Sequence, residues 1–299
     1  MNLNKIKNAI IIVLFLFLVT FSISWFLEKD QDVIGEKIIV LPLEGTITSG
    51  GSTDLFGGSS LSSLTFAEKI REINAASNVK GVIIEINSGG GSVIGSEEIA
   101  DAIKELNKTK YAVIREVGAS GAYWVASATD KIYASPMSIT GSVGVIGSYL
   151  EFSGLFDKYG VGYERLVGGE YKDIGSPFKK LSLEEEKIMQ KKIDIIHEYF
   201  IEEVAKNREL DVDVVRSLAD GQFYLGIEAK DLGLIDEFGD TNKAKKDMEE
   251  IIGEYKLERI EEKKSILDFF KLTSYYLGKG IGSELVNNIE LKNKMDIIV

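Results

Sequence analysis

Apolar positions in this chain fall into three patterns, and each predicts a different kind of element. The first is a run from Ala9 to Leu27, 19 residues without a charge. As a helix it is about 28 Å long, close to the hydrocarbon thickness of a bilayer. The run predicts a transmembrane anchor over 9–27, after a short cytoplasmic N-terminus over 1–8 and before a charged stalk over 28–36. Lys5 and Lys7 precede the run and Lys29 and Lys37 follow it. The orientation, N-terminus cytoplasmic, therefore rests on the free amino terminus and the order of the charges. A cleaved signal peptide is the competing reading. The run exceeds an ordinary signal core, and Ser22 and Ser24 make a poor small-x-small cleavage site.

The second pattern is a series of short apolar runs punctuated by glycine. Lys37–Ile47 (KIIVLPLEGTI) reads as a strand and Thr48–Ser63 as a Gly/Ser-rich loop. A helix follows near Phe66–Ile73, then a strand over Val82–Ile86, a helix from about Ile94 to Leu106 and a strand over Tyr111–Val117. Strands alternating with helices predict an α/β domain, placed at 37–240. The third pattern has helical period. Leu183–Arg208 reads as one long helix opened by a capping box, Ser182 to Glu185. A charged helical extension is expected over 241–299. In it Ile266, Phe269, Phe270, Thr273, Tyr276 and Leu277 follow helical spacing, as an amphipathic stretch for packing, oligomer contact or a membrane surface.

Charge and composition narrow the chemistry. Thirty-five Lys plus Arg stand against 47 Asp plus Glu, a net charge of −12 that repels phosphate backbones and argues against a nucleic-acid partner. The absence of cysteine excludes a disulfide, a thiol nucleophile and an iron–sulfur cluster, and a single histidine argues against His-based metal sites. Neither the dinucleotide glycine fingerprint nor the phosphate-loop motif is matched.

Two glycine turns remain as candidate chemistry. Asn87-Ser88-Gly89-Gly90-Gly91-Ser92 lies between a buried strand and a helix, where backbone N–H groups either face an anion or serve the turn itself. Gly118-Ala119-Ser120-Gly121-Ala122 ends a strand and opens a helix. Ser120 there either caps the helix or points outward as a nucleophile beside the Gly121 amide. The G-x-S-x-G elbow is not matched, because residue 122 is alanine. A serine nucleophile needs a base. The lone imidazole, His197, lies among Ile193, Phe200 and Ile201 at helical spacing and reads as a packing residue. The remaining candidate base is a neutral lysine, Lys172 in GGEYKDIGSP, whose competing reading is a merely solvated lysine in a polar loop. To act it needs a depressed pKa; a value of about 8 leaves about 10% neutral amine at pH 7. Glu170 and Asp173 oppose that unless they point elsewhere.

The ordered blocks INSGGGSV (86–93), GASGAYWVAS (118–127), TDKIYASP (129–136), TGSVGVIG (140–147), GGEYKDIGSP (168–177) and ADGQFYLGIEAKDLGLIDEFG (219–239) resemble the signal peptide peptidase A (SppA) family. The likeness covers about Lys37 to Gly239. It implies a ClpP/crotonase-like fold of stacked strand-strand-helix turns and a Ser/Lys dyad, with Ser120 as nucleophile and Lys172 as general base. Ser142 is implied to orient the lysine, and the amides of Gly90 and Gly121 to form the oxyanion hole. The family usually has proline where Gly89 stands and a second glycine where Ala122 stands.

The resemblance further implies a membrane-anchored serine endopeptidase with its protease domain outside the cytoplasm. It would degrade signal peptides or other apolar peptides, as a ring of protomers, without metal or other cofactor. Three alternatives are a protease for one membrane protein, as in the related stomatin-cleaving enzymes, a crotonase-like acyl-CoA enzyme, and a non-catalytic module of the same fold. Whether the dyad forms within one chain or between chains is open in the sequence. The extended, Gly-rich segment around Lys172 favours the interface.

Overall fold

The computed structural model describes Phe15, residues 35–50 and residues 60–260. Apart from Phe15 the segment 9–27 lies outside the described residues, as do residues 51–59 of the Gly/Ser loop and the amphipathic stretch 266–277. Among the described residues no helix is long and apolar enough to cross a membrane. The described fold belongs to a compact unit that ends at Arg259.

In chain order the strands are β1 (Lys37–Glu44), β2 (Thr46–Thr48), β3 (Ser60–Ser62), β4 (Val79–Ser88), β5 (Thr109–Ala119), β6 (Lys131–Ala134), β7 (Ile139–Gly141), β8 (Phe223–Leu225), β9 (Glu237–Phe238) and β10 (Lys256–Arg259). The helices are α1 (Ser63–Ala75), α2 (Val93–Lys104), α3 (Gly121–Ser127), α4 (Ser153–Tyr159), α5 (Leu183–Arg208), α6 (Val212–Leu218), α7 (Gly226–Asp231) and α8 (Thr241–Ile252). The main sheet has the order β10-β1-β4-β5-β6-β9, with every neighbouring pair parallel. β7 pairs with the last residues of β5 and, antiparallel, with β8. The result is the α/β architecture expected from the alternation. Its central strands read as unbroken apolar runs because a parallel sheet is buried on both faces. On one face Ile38, Val40, Ile83, Tyr111, Val113 and Tyr133 pack on Ala244 and Met248 of α8.

Two local features differ from the expectation. Lys37–Ile47 is two strands, because Gly45 at φ +83° turns the chain out of the main sheet and into a small one where β2 pairs with β3. Among the described residues after 240 the chain is helical through α8, then returns as β10 to add an edge strand beside β1. That return explains the acid inside the apolar run of β4. Glu85 is buried and takes two hydrogen bonds from Arg259, at 2.8 and 2.6 Å, and a third from Thr241 Oγ1 at 2.6 Å. Those donors hold its carboxyl below the usual range against the opposing effect of burial. α5 runs over 183–208 as expected, with both bonds of the capping box made.

Residues 144–182 contrast with this core. They contain one short helix, α4, with no buried residue, and they expose Ile146, Leu150, Leu155, Tyr159 and Leu166. This arm is tied to itself: Phe178 stacks on Phe156 at 5.6 Å and meets Tyr163 at 5.4 Å.

Candidate active site

Ser120 occupies the single residue between β5 and α3, with φ 54° and ψ −128°. A positive φ is strained for serine and is held here from both sides. Its N–H donates to Gly141 O of β7 at 2.8 Å, and its carbonyl accepts from Tyr123 N and Trp124 N of α3 at 2.9 and 3.1 Å. The hydroxyl makes no capping bond to the helix. Of the two readings open in the sequence, the cap is therefore the one the geometry rejects. The strand, strained serine and helix have the shape of a nucleophile elbow without its sequence signature.

The second glycine turn, between β4 and α2, lies directly against this one. A Cβ on Gly90 would stand 2.6 Å from Gly121 N, and one on Gly121 would stand 2.1 Å from Ser96 Oγ. The two turns thus meet backbone to backbone, and side chains would separate them. Gly89 is different, since a Cβ there meets nothing within 4 Å. The proline usual at that position is absent without a gap in packing.

The amides divide in a way the sequence did not reveal. Gly90 is buried and its N–H donates to Ser88 Oγ at 3.1 Å, while Ser88 Oγ donates to Gly45 O. The expectation that Gly90 supplies an oxyanion donor therefore meets an N–H already spent within the turn. Gly91 is exposed, and among the described residues neither its N–H nor that of Gly121 has an acceptor. A serine two residues before a glycine amide is the local signal that identifies the occupied donor.

Gly91, Ser120 and Gly121 share a cavity of about 100 Å³ whose apolar wall is Val93, Trp124, Val145, Ile146, Ile196 and Phe200. Trp124 stacks on Phe200 of α5 at 4.9 Å, so the long helix sets the depth of this pocket. The indole N–H of Trp124 is buried and without a partner among the described residues. A larger cavity of about 530 Å³, at the other end of α3, is lined by Lys104, Lys110, Asp130, Arg208 and Asp236. Its cations are already paired with Glu203, Asp130 and Asp236, and no candidate site residue borders it.

Ser142 follows β7 with φ 51°; its N–H donates to Gln222 O at 3.0 Å and its hydroxyl to Gly221 O at 3.1 Å. The ring of His197 hydrogen bonds the Val143 carbonyl at 3.3 Å and does not line the cavity. It holds the segment that borders the pocket, in keeping with a packing role. Lys172 sits on an exposed turn, its N–H bonded to Gly169 O at 3.2 Å, and does not line the cavity either. One chain thus assembles Ser120, Gly121 and the glycine turn but leaves Lys172 outside the pocket.

Residues 102–253 match the model of peptidase family S49. A Methanocaldococcus jannaschii protein that carries a protease name is 32% identical over 98% of this chain and 99% of its own length. The chain belongs to peptidase family S49. It is a serine peptidase, of the family that the ordered sequence blocks resemble. An Enterococcus faecium protein bearing the name signal peptide peptidase SppA is 36% identical over 72% of this chain, and Protease 4 of Haemophilus influenzae is 34% identical over 74%. The chain spans 63% of the first of these and 36% of the second. The S49 match includes Ser120, Ser142 and Lys172, and the β4–α2 turn precedes it.

Proposed function

We propose that this S49 peptidase is a membrane-anchored endopeptidase that cleaves signal peptides and other apolar segments with a Ser120/Lys172 dyad, in a ClpP/crotonase-type fold. The observation that carries the reading is the geometry of Ser120: a strained, uncapped serine that lines one small, largely apolar pocket together with Gly91 and Gly121, whose amides have no acceptor among the described residues. Neutral Lys172 takes the proton from Ser120 Oγ as the oxygen attacks the scissile carbonyl. The charge developing on that carbonyl oxygen is met by the N–H groups of Gly121 and Gly91, in place of Gly90. The C–N bond breaks as Lys172 returns the proton to the leaving amine. A water molecule, deprotonated by Lys172, then hydrolyses the acyl-serine and restores both groups. Ser142 holds the lysine amine in line from beside the pocket.

The exposed position of Lys172 and the apolar face of its arm support a dyad formed between neighbouring protomers of a ring, the arm of one reaching Ser120 of the next. The apolar run over 9–27 supports an anchor with the protease domain outside the cytoplasm, where the pocket meets peptides left at the bilayer. The test is labelling with a fluorophosphonate probe, followed by mass spectrometry of products from a defined signal peptide. Labelling at Ser120, with internal cleavage lost in Ser120→Ala, is expected. Label on another serine, or a Ser120→Ala chain that still cleaves, overturns the assignment.

A further inference from the structure

Lys172 stands in the chain between two carboxylates, Glu170 and Asp173, and a carboxylate against its amine would favour the ammonium, which cannot accept a proton. The structure engages both elsewhere. Asp173 receives two parallel hydrogen bonds from Arg165, Nε to Oδ2 at 2.6 Å and Nη2 to Oδ1 at 2.8 Å, and a contact from Lys179 at 3.2 Å. The same Nη2 donates to Glu170 O at 2.9 Å, fixing the backbone just before the lysine. Lys179 pairs in turn with Glu185 at 2.5 Å, and Glu185 accepts from Ser182 N at 2.9 Å in the cap of α5. The Glu170 carboxylate faces the Tyr171 hydroxyl, and its charge raises that hydroxyl above the ordinary tyrosine value. Arg165 holds the Asp173 carboxyl well below the usual range, with Lys179 adding to it.

The charged residues from 165 to 179 are Arg165, Glu170, Lys172, Asp173 and Lys179. Among the described residues Lys172 alone of these has no side-chain partner. The charged and titratable groups around its turn are Glu170, Tyr171 and Asp173 on the turn itself, Arg165 before it, and Lys179, Glu184 and Glu185 after it. Arg165 is suited to this arrangement because its planar fork matches both carboxylate oxygens at once, which a lysine cannot do.

We infer that Arg165 is a positioning residue for the general base: its grip on Asp173 and on the Glu170 carbonyl presents Lys172 without a counter-ion and couples its turn to the α5 cap. This rests on the reading of Lys172 as the base. The test is the pH profile of kcat/KM for peptide cleavage by the full chain in Arg165→Met, Asp173→Asn, the double variant and Lys172→Met. In Arg165→Met, Asp173 loses the fork and keeps only Lys179, so its charge is left to stabilise the lysine cation and the acid limb should move up by up to about one pH unit, with up to about a tenfold loss near pH 7 and a smaller one on the alkaline side. Adding Asp173→Asn should return the limb toward its wild-type position, and Asp173→Asn alone, which leaves the Arg165 and Lys179 cations in place, should not move it up. Arg165→Lys, which keeps the charge and loses the fork, should shift the limb less in the same direction, and it carries the test if the methionine variant does not fold. An equal loss at every pH, or a double variant that keeps the displaced limb, overturns the inference while an inactive Lys172→Met leaves the base intact. A Lys172→Met chain with wild-type turnover removes the base and the inference together.

Discussion

The proposed nucleophile and the proposed base stand on opposite kinds of structure. Ser120 is set by two turns at the ends of buried parallel strands, where Gly90, Gly91 and Gly121 leave no room for side chains. Lys172 lies on an arm whose helix buries nothing and which is tied by the rings of Phe156, Tyr163 and Phe178 and by a chain of charges, Arg165, Asp173, Lys179 and Glu185. The difference teaches where precision is required at the start and where it is completed later. An oxyanion donor pair must be rigid before substrate arrives, since preorganisation is the source of its effect. In the proposed ring, a base on a surface arm would become precise when the neighbouring surface closes over it, and Ile146, Leu150 and Leu166 are the exposed apolar residues that closure would cover.

The largest effect expected is on turnover. Ser120→Ala and Lys172→Ala should each lower kcat by about 10³-fold or more, and Lys172→Arg should not rescue, because a guanidinium stays protonated. Mixing separates the two regions. Equal amounts of the two alanine chains, refolded together, should regain about one intact site in four if the arm serves a neighbour. A confirmed mixed assembly with no activity above either parent places both residues in one chain.

Stability should divide the same way. On Gly91 a Cβ would meet the Ile47 backbone carbonyl at 2.1 Å, so Gly91→Ala should cost about 3 kcal/mol by chemical denaturation. On Gly168, where nothing lies within 4 Å, alanine should change stability by less than about 0.5 kcal/mol. Similar losses at both positions would erase the contrast between a packed turn and an open arm.

Acid should loosen the arm before the core. Asp173 is lowered chiefly by Arg165, and Glu185 chiefly by Lys179. A depressed folded pKa gives stability that is present above the ordinary carboxylate value and lost as pH falls below it. Pepsin cleavage within 144–182 should therefore rise as pH falls below about 4, ahead of cleavage in the sheet. Simultaneous cleavage of both would contradict a separate, charge-held arm. The smallest effect is expected at His197. Its bond to Val143 O is a single contact outside the pocket, so His197→Gln should change kcat/KM by less than about threefold, equivalent to about one ordinary hydrogen bond at most. A loss as large as that of Lys172→Ala would reopen the choice of base.

Much of this molecule is legible in short stretches of sequence because the forces that shape those stretches are local. The capping box at Ser182 and Glu185 starts α5 where the pattern predicts, and the apolar runs of β4 and β5 identify buried parallel strands. The glycine turns and Ser120 are readable for the same reason, since a strand, a tight turn and a helix follow within about ten residues. β6, β7, β8 and β9 carry no such signal: at two to four residues they are too short for a period, and only their neighbours make them strands. Tertiary structure alone decides that the chain leaves the sheet at Gly45 and that β10 returns to its edge, held across β1 by Glu85 and Arg259. It also decides which glycine amide is spent and which has no acceptor among the described residues, and which groups engage the two carboxylates beside Lys172. Those choices depend on which acceptor or cation the fold brings within 3 Å, a matter of distance in space that no window of sequence contains.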